Sequence, residues 1–443
     1  MFDLILRGGH IVSSQGTHQG DIAIHGGTIA EVGDLSSASS EVLLDVTGLH
    51  VLPGGIDTQV HFREPGLEHK EDLESGTRAA IMGGITAIFD MPNTDPTTTS
   101  EETLHGKLEL ANGRTWCDHA FFVGATKDNV EELAHLESLP GTPGVKIFMG
   151  SSTGPLLVDD DEHLRAVLNS CHRRSPVHAE DEARLRERKA MRSRGEPHVR
   201  EHPIRRDAEA ARLATERILR LSEETKHPIH ILHVSTRDEL PLIAEAKSRG
   251  LRTTCEVTPQ HLTLNAEAYE THGTQIQMNP PIRTEVHRQA LWKAVKEGLF
   301  DVFGSDHAPH TRIEKGLPYP QSPSGIPGVQ TMLPVLLDWV HKRELGLNQL
   351  VSMLCENPAR IYQISNKGRI EVGFDADLTL VDLEKSWAIE PEWLQSKCGW
   401  SPFENMKVHG KIEHVFLRGH HMVNEGALVG RMVGRPVAFE GKQ

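Results

Sequence analysis

His61 and Arg63 stand two residues apart in Gln59–Val60–His61–Phe62–Arg63–Glu64–Pro65–Gly66, just past an apolar run. An imidazole offers a nitrogen to a metal, and a guanidinium presents a planar fork that matches a carboxylate. Asn93, Lys146, His178, His233 and Asp306 each lie in or beside another apolar run. Three histidines and an aspartate are borderline-hard ligands suited to zinc or a similar divalent ion. Asp306 lies in Gly304–Ser305–Asp306–His307–Ala308–Pro309–His310. It can bind a metal through one oxygen and exchange a proton through the other; an Asx turn or helix N-cap is the plainer role. Lys146 is set in the apolar Gly144–Val145–Lys146–Ile147–Phe148–Met149. A buried, isolated ammonium is costly or loses its proton. The neutral amine can take up carbon dioxide as a carbamate, an anion whose two oxygens bridge two metals. Alternatively the stem is buried and the head reaches water.

For such groups to meet, the elements between them must bring distant residues together. Apolar, strand-like runs fall at 51–56, 85–90, 119–123, 144–148, 176–179, 229–233, 252–257 and 300–304. Amphipathic stretches at 71–82, 101–112, 159–173, 207–224 and 236–249 separate most of them. Alternating strands and helices predict a parallel sheet, and eight strands are what a closed (β/α)8 barrel needs. A doubly wound open sheet is the alternative, but no Gly-rich fingerprint follows the first strand. In a barrel, His61, Asn93, His178, His233 and Asp306 would converge on the mouth where strand ends gather.

The two chain ends read differently. Residues 1–50 are short strands and tight turns: Leu4–Arg7, His10–Val12, Asp21–His25 and Thr28–Val32. Leu378–Asp382, His414–Leu417 and His421–Val423 repeat that texture. The expected architecture is therefore a TIM-type barrel over 53–365, with a small β-sandwich domain built from 1–52 and 366–443.

The formal net charge is −15, which argues against nucleic acid or an anionic membrane as the main partner. Five scattered cysteines form no paired motif, so a reducing cytoplasm is expected. The start lacks the pattern of a signal peptide, and no window has the length of a membrane span. A small-molecule substrate and a homo-oligomer, dimer or larger, complete the expectation.

Gly55–Ile56–Asp57 with Val60–Gly66, Asp90–Met91–Pro92–Asn93–Thr94, His178–Ala179–Glu180–Asp181, His233–Val234–Ser235–Thr236, Met278–Asn279–Pro280–Pro281–Ile282–Arg283 and Ser305–His310 are more specific together than singly. The set resembles the long-chain dihydroorotases and, more broadly, the amidohydrolase superfamily of metal-dependent cyclic amidases. The resemblance extends over essentially the whole chain, including Gly373–Phe374–Asp375–Ala376–Asp377–Leu378. It implies metal ligands at His61, Lys146, His178, His233 and Asp306, holding one or two Zn2+ ions. Arg63, Asn93 and His310 would hold a substrate carboxylate, and Asn279 with backbone near Ser324–Gly325 would hold the ring. The run 146–152 resembles the carbamylated-lysine strand of hydantoinases, so a bridging carbamate on Lys146 is implied. Gln59 departs from the His-x-His usual in that superfamily, and a neutral amide oxygen is the weaker zinc ligand.

The activity implied is reversible hydrolysis of dihydroorotate to N-carbamoyl-L-aspartate in pyrimidine biosynthesis, with Asp306 as the proton carrier. Two other readings stand beside it. A hydantoinase or allantoinase would share the metal centre but leave Arg63 and Asn93 without a carboxylate to bind. A non-catalytic scaffold for aspartate carbamoyltransferase would account for Gln59 but not for the retained Lys146, His178, His233 and Asp306.

Overall fold

A computed structural model describes residues 1–151, 156–191 and 195–440. Ser152, the end of the lysine-strand motif, and the last three residues lie outside them. A nine-stranded sheet draws on both chain ends. Its strands run in the order Ala427–Leu428, His420–Asn424, Lys407–Leu417, Leu378–Ala388, His50–Pro53, Phe2–Ser13, Gly16–His25 and Thr28–Gly33, with Ser40–Asp45 beside Phe2–Ser13. The seam between the ends is antiparallel, pairing Leu378 with Pro53 and Val381 with His50. Leu4, Leu6, Ile22, Ile24, Leu378, Leu380 and Phe416 bury one shared apolar face there.

The sequence predicts separate strands at Leu4–Arg7 and His10–Val12. They form one strand, Phe2–Ser13, whose register shifts between Leu6 and Gly9.

Between the ends the strands are parallel. Gly55–Val60, Ile85–Asp90 and Asp118–Phe121 form one sheet. Val123–Gly124, Val145–Phe148, Ser175–His178, Ile229–Ile231, Thr253–Val257 and Val302–Phe303 form the next. Only Phe122 separates Asp118–Phe121 from Val123–Gly124. On the far side, Val60 makes a parallel bridge to His307, and the His61 N–H donates to the His307 carbonyl at 2.7 Å.

The run 51–56, expected as one strand, is two. His50–Pro53 belongs to the nine-stranded sheet and Gly55–Val60 to the parallel one. Gly54 makes the crossing, because a Cβ there would lie 2.1 Å from Thr86 Oγ1. Its N–H is taken by the Asp377 carbonyl at 2.8 Å. Helices begin where carboxylates cap them: Asp160 ahead of Asp161–Ser170 and Asp207 ahead of Ala208–Thr225. The helix expected from 236 starts only at Leu240. Glu239 folds back to accept from the backbone N–H groups of Ser235 and Thr236, which keeps that turn out of the helix.

Asp118, Asp375 and Asp377 lie close enough together to hold an ion. The cation among them is Lys367, with Nζ at 2.7, 2.8 and 2.6 Å from the three carboxylates in that order. Arg418 adds a second charge on Asp118. This buried hub ties the nine-stranded sheet to the parallel strand Asp118–Phe121. Lys367→Met leaves buried Asp377 and half-buried Asp375 without their cation, so it should cost about 3–5 kcal/mol in denaturant unfolding. Lys397→Met, which breaks a half-exposed pair with Asp72, should cost under about 1 kcal/mol.

Candidate active site

Parallel strands deliver the polar residues to one region. Lys146 lies within Val145–Phe148, and His178 ends Ser175–His178. His61, His233 and Asp306 come just past the C-terminal ends of Gly55–Val60, Ile229–Ile231 and Val302–Phe303. Arg63, His233 and Asp306 all have left-handed backbones, with φ of 66°, 35° and 43°. Non-glycine residues held there are strained, and strain of this kind gathers at functional sites.

His61 Nδ1 contacts Asn93 Oδ1 at 2.7 Å, which makes Nδ1 the donor. The Nε2 lone pair then faces Asp306 Oδ1 at 3.3 Å. His178 Nε2 contacts Glu180 Oε2 at 2.9 Å, so its Nδ1 lone pair points at His233 Nε2, 3.0 Å away. Burial lowers the pKa of both His178 and His233, which keeps the imidazoles neutral as ligation requires. Glu180 is held in turn by Arg206, whose Nε reaches Oε1 at 3.2 Å. A carboxylate behind a ligating histidine fixes its tautomer and raises its basicity.

Lys146 is 1% exposed. Its Nζ has no hydrogen-bond partner and sits 4.5 Å over the Phe148 ring. Burial pulls its pKa down to about 7 against the opposing pull of Asp306 and Glu256. A substantial neutral fraction near pH 7 follows. Gln59 does something its position in the sequence did not show: Nε2 donates to Asp306 Oδ1 at 3.1 Å. Its Oε1 is buried without a partner, as is His233 Nδ1. Unsatisfied buried atoms are rare enough to need a cause. His61 with Asp306 makes one pair of donor atoms and His178 with His233 another, side-chain types suited to a divalent cation.

The second cluster is cationic. Arg63 donates through Nε to the Pro309 carbonyl at 3.1 Å and lies 3.4 Å from His310 Nε2 through Nη2. It is buried and has no carboxylate within 4 Å among the described residues. Burial lowers its pKa to about 10, which leaves it charged at neutral pH. His310 Nε2 donates to the Ser324 carbonyl at 3.1 Å, and its Nδ1 accepts from Lys70 at 3.2 Å. Burial first, then Arg63, Lys70 and Lys315, keep this imidazole neutral.

Asn279 and Ser324 line a cleft of about 670 Å³ with His202, Arg206 and Tyr319. The Gly325 N–H is already bonded to the Gln277 carbonyl at 2.9 Å. A Cβ at Gly325 would meet the Ala308 carbonyl at 2.2 Å, so the loop passes there without a side chain. Glu180, Arg206, His202 and Glu256 were not assigned roles from the sequence. Glu180 stood in view within a quoted motif; Arg206 and His202 had no local signal at all.

Residues 50–422 match the amidohydrolase family, and the chain belongs to it. Among its relatives, the dihydroorotase of Methanosarcina acetivorans is 36% identical over 92% of this chain and 89% of that protein. The allantoinase of Deinococcus radiodurans is 32% identical over 98% of each. The solved structure of the L-hydantoinase (dihydropyrimidinase) of Arthrobacter aurescens superposes with a TM-score of 0.95 at 30% identity, covering 99% of this chain and 100% of that one.

Glu180→Gln keeps the shape beside His178 but removes the charge that orients it. Divalent-metal affinity, read by chelator competition, should fall by about 10–100-fold.

Proposed function

We propose that the chain is a dihydroorotase, opening the cyclic amide of (S)-dihydroorotate to N-carbamoyl-L-aspartate and closing it in the reverse direction, the one used in making pyrimidines. Arg63 carries this reading. A buried guanidinium with no carboxylate of its own calls for one from the substrate, since an unpaired buried charge is costly. Neutral hydantoin or allantoin rings bring none. The likeness of the whole fold to an L-hydantoinase keeps that activity as the second reading.

His61, Lys146, His178, His233 and Asp306 would hold one or two Zn2+ ions, with Lys146 as a carbamate. When bound, the metal supplies Lewis acidity that lowers the pKa of water and polarises the ring carbonyl. The residues do the rest. Asp306 takes the proton of the attacking water as the oxygen–carbon bond forms. It returns that proton to the ring nitrogen as the carbon–nitrogen bond breaks. Gln59 steadies the Asp306 carboxylate during this exchange through its amide N–H. Arg63, with the Asn93 amide beside it, grips the carboxylate by charge-assisted hydrogen bonds, and His310 would join them only by releasing its N–H from the Ser324 carbonyl. Asn279 and Ser324 face the ring from the cleft.

In the same reading the eight parallel strand positions close as a (β/α)8 barrel through the Val60–His307 bridge. The strands of both chain ends would make up the small β-sandwich domain, with boundaries near residues 52 and 365. Unpaired cysteines throughout the described chain support a cytoplasmic setting, and we expect a homo-oligomer.

Zinc-loaded protein supplied with bicarbonate should turn over L-dihydroorotate, followed by loss of ring absorbance. Turnover of hydantoin but not dihydroorotate would defeat the substrate reading. Asp306→Asn should lower kcat by at least about 10³-fold, more than a simple acid–base contribution of 10²–10⁴ at its low end, while most metal stays bound. Arg63→Met should raise KM for dihydroorotate by about 10²-fold, the loss expected when a charged hydrogen-bonded pair of about 3 kcal/mol goes. Hydantoin kinetics should change little.

A further inference from the structure

We infer that His202 is a positioning residue that locks the Asn279 amide so that it reads an acceptor oxygen of the cyclic ureide, not a ring N–H. The inference rests on Asn279 facing the ring, as proposed above, and assigns what controls it.

His202 Nε2 lies 3.0 Å from the Met278 carbonyl oxygen and 3.0 Å from Asn279 Oδ1. A backbone carbonyl can only accept, so Nε2 must carry the proton. The same N–H then meets Asn279, and the atom it meets must be an acceptor. That determines the amide: Oδ1 turns toward His202, and Nδ2 is left to donate into the cleft that Asn279 lines. Without His202 the amide could rotate by half a turn and present Oδ1, which would select a donor instead.

The surroundings hold the imidazole in that role. His202 is buried and its ring meets the Tyr319 ring edge-on at 5.9 Å. Burial, reinforced by Arg206, lowers its pKa to about 3, so the ring stays neutral through the working range. The Arg206 N–H donates to the His202 carbonyl at 2.9 Å, which joins this residue to the Arg206–Glu180–His178 chain behind the metal ligands. One short stretch, 202–206, therefore braces both the ring-facing amide and a ligating histidine.

A double-mutant cycle tests this, with circular dichroism and metal content matched across variants before kinetics. His202→Leu should raise KM by about tenfold, with kcat changed by less than about threefold, as expected for loss of uniform binding worth one hydrogen bond. His202→Gln, whose amide N–H reaches a similar place, should recover most of that loss. In an Asn279→Ala background His202→Leu should have almost no further effect. Additive losses, or no recovery by glutamine, would overturn the role of His202. The cycle is run on L-dihydroorotate, hydantoin and allantoin in parallel. Preference of the wild type for another of these amides would overturn the substrate reading while the coupling is still read on the amide it opens.

Discussion

The join between the first and last parallel strands governs everything at the site. Asp57 Oδ1 accepts from the N–H groups of Ser305 at 3.1 Å and Gln59 at 3.2 Å. Val60 and His307 complete the parallel bridge, and Gln59 reaches across to Asp306. These bonds hold Asp306 opposite His61 although more than half of the chain lies between them in sequence. Each is modest, about 0.5–1.5 kcal/mol net, but breaking one leaves a buried group unsatisfied, which costs more. Burial also raises the Asp57 pKa to about 7. The structure keeps a carboxyl group there because of the two backbone donors it satisfies.

Desolvation sets the chemistry that this geometry permits. It keeps His178, His233 and His310 neutral, lowers Lys146 into the physiological range and leaves Arg63 charged. One physical cause thus produces two kinds of subsite: electron-pair donors around Lys146 and a cationic socket around Arg63. The first suits a metal; the second suits a carboxylate. An arginine keeps its charge in surroundings where a lysine loses it because its intrinsic pKa is so much higher.

The nine-stranded sheet contributes by anchoring. Lys367 and Arg418 gather Asp118, Asp375 and Asp377 between that sheet and a parallel strand, and Gly54 lets the chain pass from one to the other. Three carboxylates in one place look like an ion site until the lysine among them is seen. Charges that serve the fold and charges that serve the site are told apart here only by their partners.

Period and residue type were enough to predict alternating parallel strands and helices, β texture at both ends, the strand-end positions of His61, His178, His233 and Asp306, and Lys146 inside its strand. That information is local: apolar runs, caps and polar residues just beyond them. The split of 51–56 at Gly54 was not legible, because both halves are equally apolar and only the crowding against Thr86 divides them. Nor was the bond from Gln59 to Asp306, which joins residues far apart in the chain and turned an apparent ligand loss into a support. Arg206 and His202 were silent for the same reason. Their sequence neighbourhood is an ordinary polar stretch, and their roles exist only because the fold sets them against Glu180 and Asn279. Residue chemistry is written in the chain; which partner satisfies each buried donor or acceptor is decided by packing in three dimensions.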